Sequence, residues 1–242
     1  MRDTIRVFIL RHDAPFKSHV SHLNSVFNDR RYSVDLVPSC DKSLDDRIMD
    51  CLRKSWRSNP EGHTIVLTDR VLTTQKGKRV LDLISTCISV GDFDLAYLFK
   101  YGDKCQMQES VTTACQTSIV SCHSPFGLEA ILYSPSGRDI ILGKKTMRDG
   151  TKLKIKKGLE KTLNGKIYDG AIKSIALSPN LFEYDTANNC VDVSQYSYRN
   201  ECAPLQLDPR TNSSSSWSIV YLAFALIIII AVAWALLQLA KK

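Results

Sequence analysis

Ile5-Arg6-Val7-Phe8-Ile9-Leu10 is a short apolar run rich in β-branched side chains, followed by a charged turn, Arg11-His12-Asp13, and then Pro15. It reads as a buried first strand. From Phe16 to Phe27 the apolar residues Phe16, Val20, Leu23 and Phe27 recur at spacings of four, three and four, which places them on one helical face. Tyr32 to Val37 reads as a second strand. Ser43 to Trp56 reads as a second helix with Leu44, Ile48, Cys51, Leu52 and Trp56 on its buried side, Ser43 serving as N-cap and Asp46 standing three residues on. Thr64 to Leu67 is a third strand, Thr73 to Val90 a third helix, and Asp94 to Leu98 a fourth strand after the turn at Gly91-Asp92. The order β-α-β-α-β-α-β predicts an α/β domain on a mainly parallel, Rossmann-type doubly wound sheet, with ligands binding beyond the carboxyl ends of the strands.

Past residue 100 the pattern loosens, with strands expected near Ser118 to Cys122 and Glu129 to Tyr133 and a short helix from Pro135 to Leu142. The expected domain covers residues 1–205, and a Pro- and Ser-rich linker follows over 206–216. Ile219 to Leu237 is then an unbroken apolar run of 19 residues, enough at about 1.5 Å per residue to cross a hydrocarbon core. Trp217 and Tyr221 near its upstream end and Trp234 near its downstream end suit the membrane interface. The expectation is one C-terminal transmembrane helix over 217–240. Met1 to Pro15 offers only Ile5 to Leu10 as an apolar stretch, short for a signal peptide, so the domain is expected to face the cytosol on a tail anchor. In that reducing compartment the 8 cysteines are most simply free, and none of their spacings forms a CxxC pair for zinc. With 44% hydrophobic and 24% charged residues, the composition excludes a disordered, collagenous or disulfide-scaffold chain.

The net charge of +7 is local. Between Arg138 and Lys166 stand ten Lys/Arg, among them Lys144, Lys145, Lys152, Lys154, Lys156 and Lys157, against three acids. Lys152, Lys154 and Lys156 alternate, so in a strand they would share a face. A basic patch on a tethered domain suits the anionic cytoplasmic leaflet of a lipid bilayer, at about 1 kcal/mol per well-placed residue. A solvated loop explains the charge equally well, and nucleic acid is not expected as a partner because few aromatics interleave the lysines.

The order of motifs resembles glycosyltransferase family 25. The family's Cys-x-x-Ser-His motif is matched by Cys51-Leu52-Arg53-Lys54-Ser55, where the histidine is lost, and its strand ending in Leu-Glu-Asp-Asp by Ile65-Val66-Leu67-Thr68-Asp69-Arg70, where one carboxylate of three remains. Asp94-Leu95-Ala96-Tyr97-Leu98, Ala130-Ile131-Leu132-Tyr133-Ser134-Pro135-Ser136-Gly137-Arg138, Tyr168-Asp169-Gly170 and Ile175 to Phe182 are similar to later family segments in the same order. The resemblance implies a GT-A-like fold, a UDP-sugar donor and a divalent metal, Mn2+, bridging the diphosphate. It implies Asp69 and Asp169 as catalytic acids; Arg70, by its guanidinium, and His12, by its place at the carboxyl end of the first strand, are the expected nucleotide-binding residues. Large DNA viruses carry divergent relatives, so it also implies a virion or viral-membrane setting with other membrane or virion proteins as partners.

The departures weaken the chemistry. Arg70 stands where a metal ligand is expected, and a guanidinium cannot bind a cation although it can contact a diphosphate. Asp69, with Asp169 as a second acid, makes a poor cation site, so no metal or other cofactor is expected unless transfer survives. Asp92-Phe93-Asp94 forms a DxD triplet but precedes a strand, and Asp45-Asp46 fits the first turn of a helix. His12 follows the first strand at a carboxyl end, whereas His19, His22, His63 and His123 have no recognisable partners in the sequence. The expectation is a membrane-anchored, degenerate glycosyltransferase-like domain in a binding or structural role, and the alternative is an active glycosyltransferase moving a sugar from a UDP-sugar to a protein or glycan.

Overall fold

A computed structural model describes residues 4–12, 17–73, 75–103, 110–114 and 117–184. The expected linker at 206–216 and span at 217–240, with Trp217, Ile219, Tyr221, Trp234 and Leu237, lie outside the described residues. So do Cys105, Cys115, Cys190 and Cys202. Among the described residues, no helix is long and apolar enough to cross a membrane.

The chain runs β1 (Ile5–Leu10), α1 (Lys17–Val26), β2 (Tyr32–Val37), α2 (Leu44–Ser58), β3 (Thr64–Thr68), β4 (Val71–Leu72), α3 (Gly77–Val90) and β5 (Leu95–Tyr97). It continues with β6 (Ser110–Ala114), β7 (Thr117–Ser121), β8 (Ala130–Tyr133), α4 (Pro135–Ile141), α5 (Leu159–Tyr168), β9 (Ser174–Ser178) and β10 (Glu183–Tyr184). One eight-stranded sheet has the order β2-β1-β3-β8-β5-β9-β7-β6, and β4 pairs with β10 in a small second sheet. All strands of the large sheet except β7 and β8 point the same way.

The central strands are apolar along their whole length because helices cover both faces of the sheet. Val7, Ile9, Ile65, Leu67, Ala130 and Leu132 face a cluster with α1 and α3. Their alternates Phe8, Leu10, Val66, Ile131 and Tyr133 face a cluster with α2, α4 and α5. Ser43 caps α2 as expected, its hydroxyl accepting the Asp46 N–H at 3.2 Å. Cys51, Cys87 and Cys122 are free and buried, and burial pushes each thiol up to about 12.

Three sequence expectations need correction. β3 and β5 are not neighbours, because β8, added later in the chain, runs antiparallel between them. The sheet is mainly parallel, as expected, but the antiparallel β7 and β8 make it other than a plain doubly wound one. The third helix starts at Gly77 rather than Thr73, since Val71 and Leu72 extend to pair with Tyr184 and Glu183. Lys152, Lys154 and Lys156 do not alternate on a strand, for 151–157 is irregular. They are exposed, as are Lys144, Lys145 and Lys157, and Leu153 turns inward.

The turn from β8 into α4 explains its sequence. The Ser134 hydroxyl accepts the Gly137 N–H at 3.0 Å, while Pro135 occupies the first turn, where its missing N–H costs nothing. A Cβ at Gly137 would stand 2.0 Å from the Asp94 carbonyl oxygen, so only glycine lets α4 approach the start of β5 this closely. Arg138 is fully buried and donates to the carbonyls of Asn59 at 3.0 Å, Gly62 at 2.9 Å and Pro60. It thereby ties α4 to the α2–β3 turn. Gly137→Ala should destabilise the fold by about 1–3 kcal/mol through overpacking, read as a lower urea midpoint at unchanged m-value.

Candidate functional site

The neighbours of β1 lie on opposite sides of it: the chain leaves β1 toward β2 and returns on the other side as β3. Such a reversal opens a crevice at the carboxyl ends of the two inner strands, the usual ligand position in open α/β sheets. His12 follows β1 and Asp69 follows β3, and here they meet. Asp69 is 1% exposed, and both of its carboxylate oxygens are engaged by His12: the backbone N–H donates to Oδ2 at 2.9 Å and Nδ1 lies 2.7 Å from Oδ1. With the carboxylate ionised, Nδ1 carries the proton of that bond. The Asp69 N–H donates to the Leu10 carbonyl at 3.0 Å, and the Asp69 carbonyl lies 3.0 Å from Nδ1 of the buried His19. His22 Nε2 lies 3.0 Å from the Thr73 carbonyl. His19 and His22, without recognisable partners in the sequence, thus hold the backbone of the β3–α3 connection.

Asp69 therefore bridges the two sides of the crevice rather than presenting a free carboxylate. Arg70 is half-buried beside Tyr184, and its Nε is buried without a hydrogen-bond partner. The other predicted acid is far from this group in the fold. Asp169 is the exposed C-cap of α5, at the opposite edge of the sheet, where β9 begins. Hence His12, Asp69 and Arg70 are brought to one edge, and Asp69 and Asp169 are not paired. Among the described residues, no group of three His, Cys, Asp or Glu side chains is arranged to hold a metal ion. A buried carboxylate with both oxygens engaged by His12 does not fit Mn2+.

Asp92-Phe93-Asp94 has a structural use at the start of β5. Asp94 Oδ2 accepts the Lys173 N–H at 2.9 Å and Oδ1 accepts the Ser136 hydroxyl at 3.1 Å. Asp92 pairs with Arg148 at 2.7 Å and Lys173 at 2.6 Å, which holds its carboxyl below the usual range.

Sequence reasoning passed over Glu129 and Glu160. The Glu129 carbonyl accepts the Thr68 N–H at 2.8 Å, which fixes the residue beside the end of β3. Its carboxyl accepts the Tyr101 hydroxyl at 3.0 Å, and burial pushes its pKa up. Burial likewise raises that of Glu160, which accepts the Gly127 N–H at 2.6 Å. The available signal was an acid directly before an apolar strand, Glu129-Ala130-Ile131-Leu132.

No model of a protein family and no curated protein sequence matches this chain. Solved structures resemble it in fold at low similarity. A viral protein from STIV gives a TM-score of 0.43 at 12% identity, over 72% of this chain and 81% of that one. A putative glucose-1-phosphate thymidylyltransferase from Bacillus anthracis, crystallised with sucrose, gives 0.42 at 8% identity, over 82% and 96%.

Asp69→Ala leaves the His12 donors without their acceptor and should cost about 1–3 kcal/mol of stability, measured by chemical denaturation. A raised carboxyl pKa means that the folded state holds the proton more tightly, so Glu129 lowers stability as pH climbs above the unfolded value of 4.5. Glu129→Gln should therefore raise the melting temperature relative to wild type at pH 8, with the difference closing near pH 4.

Proposed function

We propose that this chain is a membrane-anchored protein whose α/β domain keeps a glycosyltransferase-like frame in a binding or structural role, at a viral or virion membrane, without sugar transfer. The observation that supports this reading is the engagement of both Asp69 oxygens by His12 at the crevice where a donor diphosphate and its metal would sit. Arg70 follows it in the chain, where the resemblance calls for a metal ligand, and a guanidinium does not fill that role.

The family resemblance itself divides the same way. Gly137 and Ser134 serve the turn into α4, and Asp94 serves the start of β5. These are motif positions with packing reasons to persist. The positions that would carry chemistry are replaced by Arg70 or, at Asp169, stand at the wrong edge. The exposed lysines at 144, 145, 152, 154, 156 and 157 are the surface we assign to an anionic bilayer, with the 219–237 run as the anchor.

Titration of the full-length chain with UDP-glucose, in the presence and absence of Mn2+, tests the reading. No Mn2+-dependent heat and no UDP release are expected. Mn2+-dependent binding accompanied by UDP release, both abolished by Asp69→Asn, would overturn it in favour of a working transferase.

A further inference from the structure

Between the amino-terminal ends of α2 and α5 lies a cavity of about 270 Å³, near the small end of the range for metabolite pockets. Leu44, Leu128 and Leu159 give it apolar walls. Its polar groups are unevenly placed. Glu129 is nine-tenths buried and lines the cavity, and one of its carboxylate oxygens, Oε2, is buried without a hydrogen-bond partner. Glu160 lines the same space. Both carboxyls close on one residue: the Gly127 N–H is 2.6 Å from Glu160 Oε1, and a Cβ on Gly127 would stand 3.0 Å from Glu129 Oε2.

A ligand anion has no place at this inner end. The positive end of α5 is already met from within the chain, since Asp45 Oδ2 accepts the Leu159 N–H at 2.7 Å. What the inner end lacks is a donor carrying positive charge, and a primary ammonium brings three N–H groups in a compact head. Burial holds both glutamic acids toward their protonated forms, so an entering ammonium supplies the charge that their ionisation requires. The outer end is of the opposite sign, because Lys157 and Lys161 line the cavity and are exposed. They would repel a simple cation and favour a ligand whose other end is anionic.

We propose that this cavity binds a small aminated zwitterion, its ammonium inward against Glu129 and Glu160 and its anionic group outward at Lys157 and Lys161. The chemistry is shared by free aminated metabolites and by the headgroup of an aminated phospholipid. The proposal does not depend on how the His12–Asp69 site is read.

The test is calorimetric titration of the full-length chain in phosphatidylcholine nanodiscs with O-phosphoethanolamine, and separately with ethanolamine and with inorganic phosphate. The whole zwitterion is expected to bind at least about tenfold more tightly than either half. Glu129→Gln and Glu160→Gln keep acceptors for Tyr101 and Gly127, so each should fold while weakening the zwitterion by about tenfold. The exposed pair Lys157→Ala and Lys161→Ala should reduce it to the affinity of ethanolamine. Competition by phosphatidylethanolamine added to the discs would support the proposal with a lipid headgroup as source, and equal affinity in both discs would support it with a soluble compound. Absence of binding at millimolar O-phosphoethanolamine, or inorganic phosphate binding as tightly as the whole, would overturn it.

Discussion

The antiparallel insertion of β8 between β3 and β5 is the constraint on which the rest of the domain depends. Without it the sheet is two separate pieces, the parallel β2-β1-β3 and the mixed β5-β9-β7-β6. Ala130, Ile131, Leu132 and Tyr133 are all completely buried, so every β8 side chain packs against helices on one face or the other. Because β8 runs against its neighbours, its first residues stand at the carboxyl edge and its last at the amino edge. The first consequence is the placing of Glu129 beside Thr68 and the crevice. The second is α4, which starts at the amino edge and must pass close to Asp94, where Gly137 and the buried Arg138 hold it.

The amino-terminal half of this arrangement is legible in the sequence because its elements are local. The apolar run Ile5 to Leu10 is long enough and continuous enough to be a strand covered on both faces, and the spacing of Leu23 and Phe27 marks the buried side of α1 and its end. Ser43 with Asp46 marks the start of α2 to the residue. The carboxyl-terminal half is less legible because its decisive contacts are distant. Nothing in Ala130 to Tyr133 says that its partners are Ile65 and Ala96 or that the pairing is antiparallel. The charge of the stretch around Lys152 masks the even spacing of Leu159, Leu163 and Ile167, which marks the buried face of α5.

The site follows the same division. His12 and Asp69 are both visible as residues following strands, and the topology brings them together. What the sequence does not contain is their relation to one another, since a carboxylate offered to a metal and a carboxylate consumed by a neighbouring imidazole and amide look the same as letters. Asp169 misleads for the opposite reason: its motif neighbourhood is plausible, but α5 carries it away from the crevice. Glu129 was passed over because an acid before a strand is normally a solvated turn residue, and only the Tyr101 hydroxyl and the surrounding burial make it otherwise.

The long return from β3 to β8 also governs how the protein is made. On the ribosome, residues 4–68 emerge able to form β2, β1 and β3, but the outer edge of β3 stays unpaired until Tyr133 has cleared the exit tunnel. At translation rates of about 5–20 residues per second, that interval is on the order of several seconds. Throughout it a nascent chain displays Thr64-Ile65-Val66-Leu67 as an open apolar edge, a template for pairing with other chains. Protection of that edge during synthesis is thus a demand separate from the stability of the finished sheet.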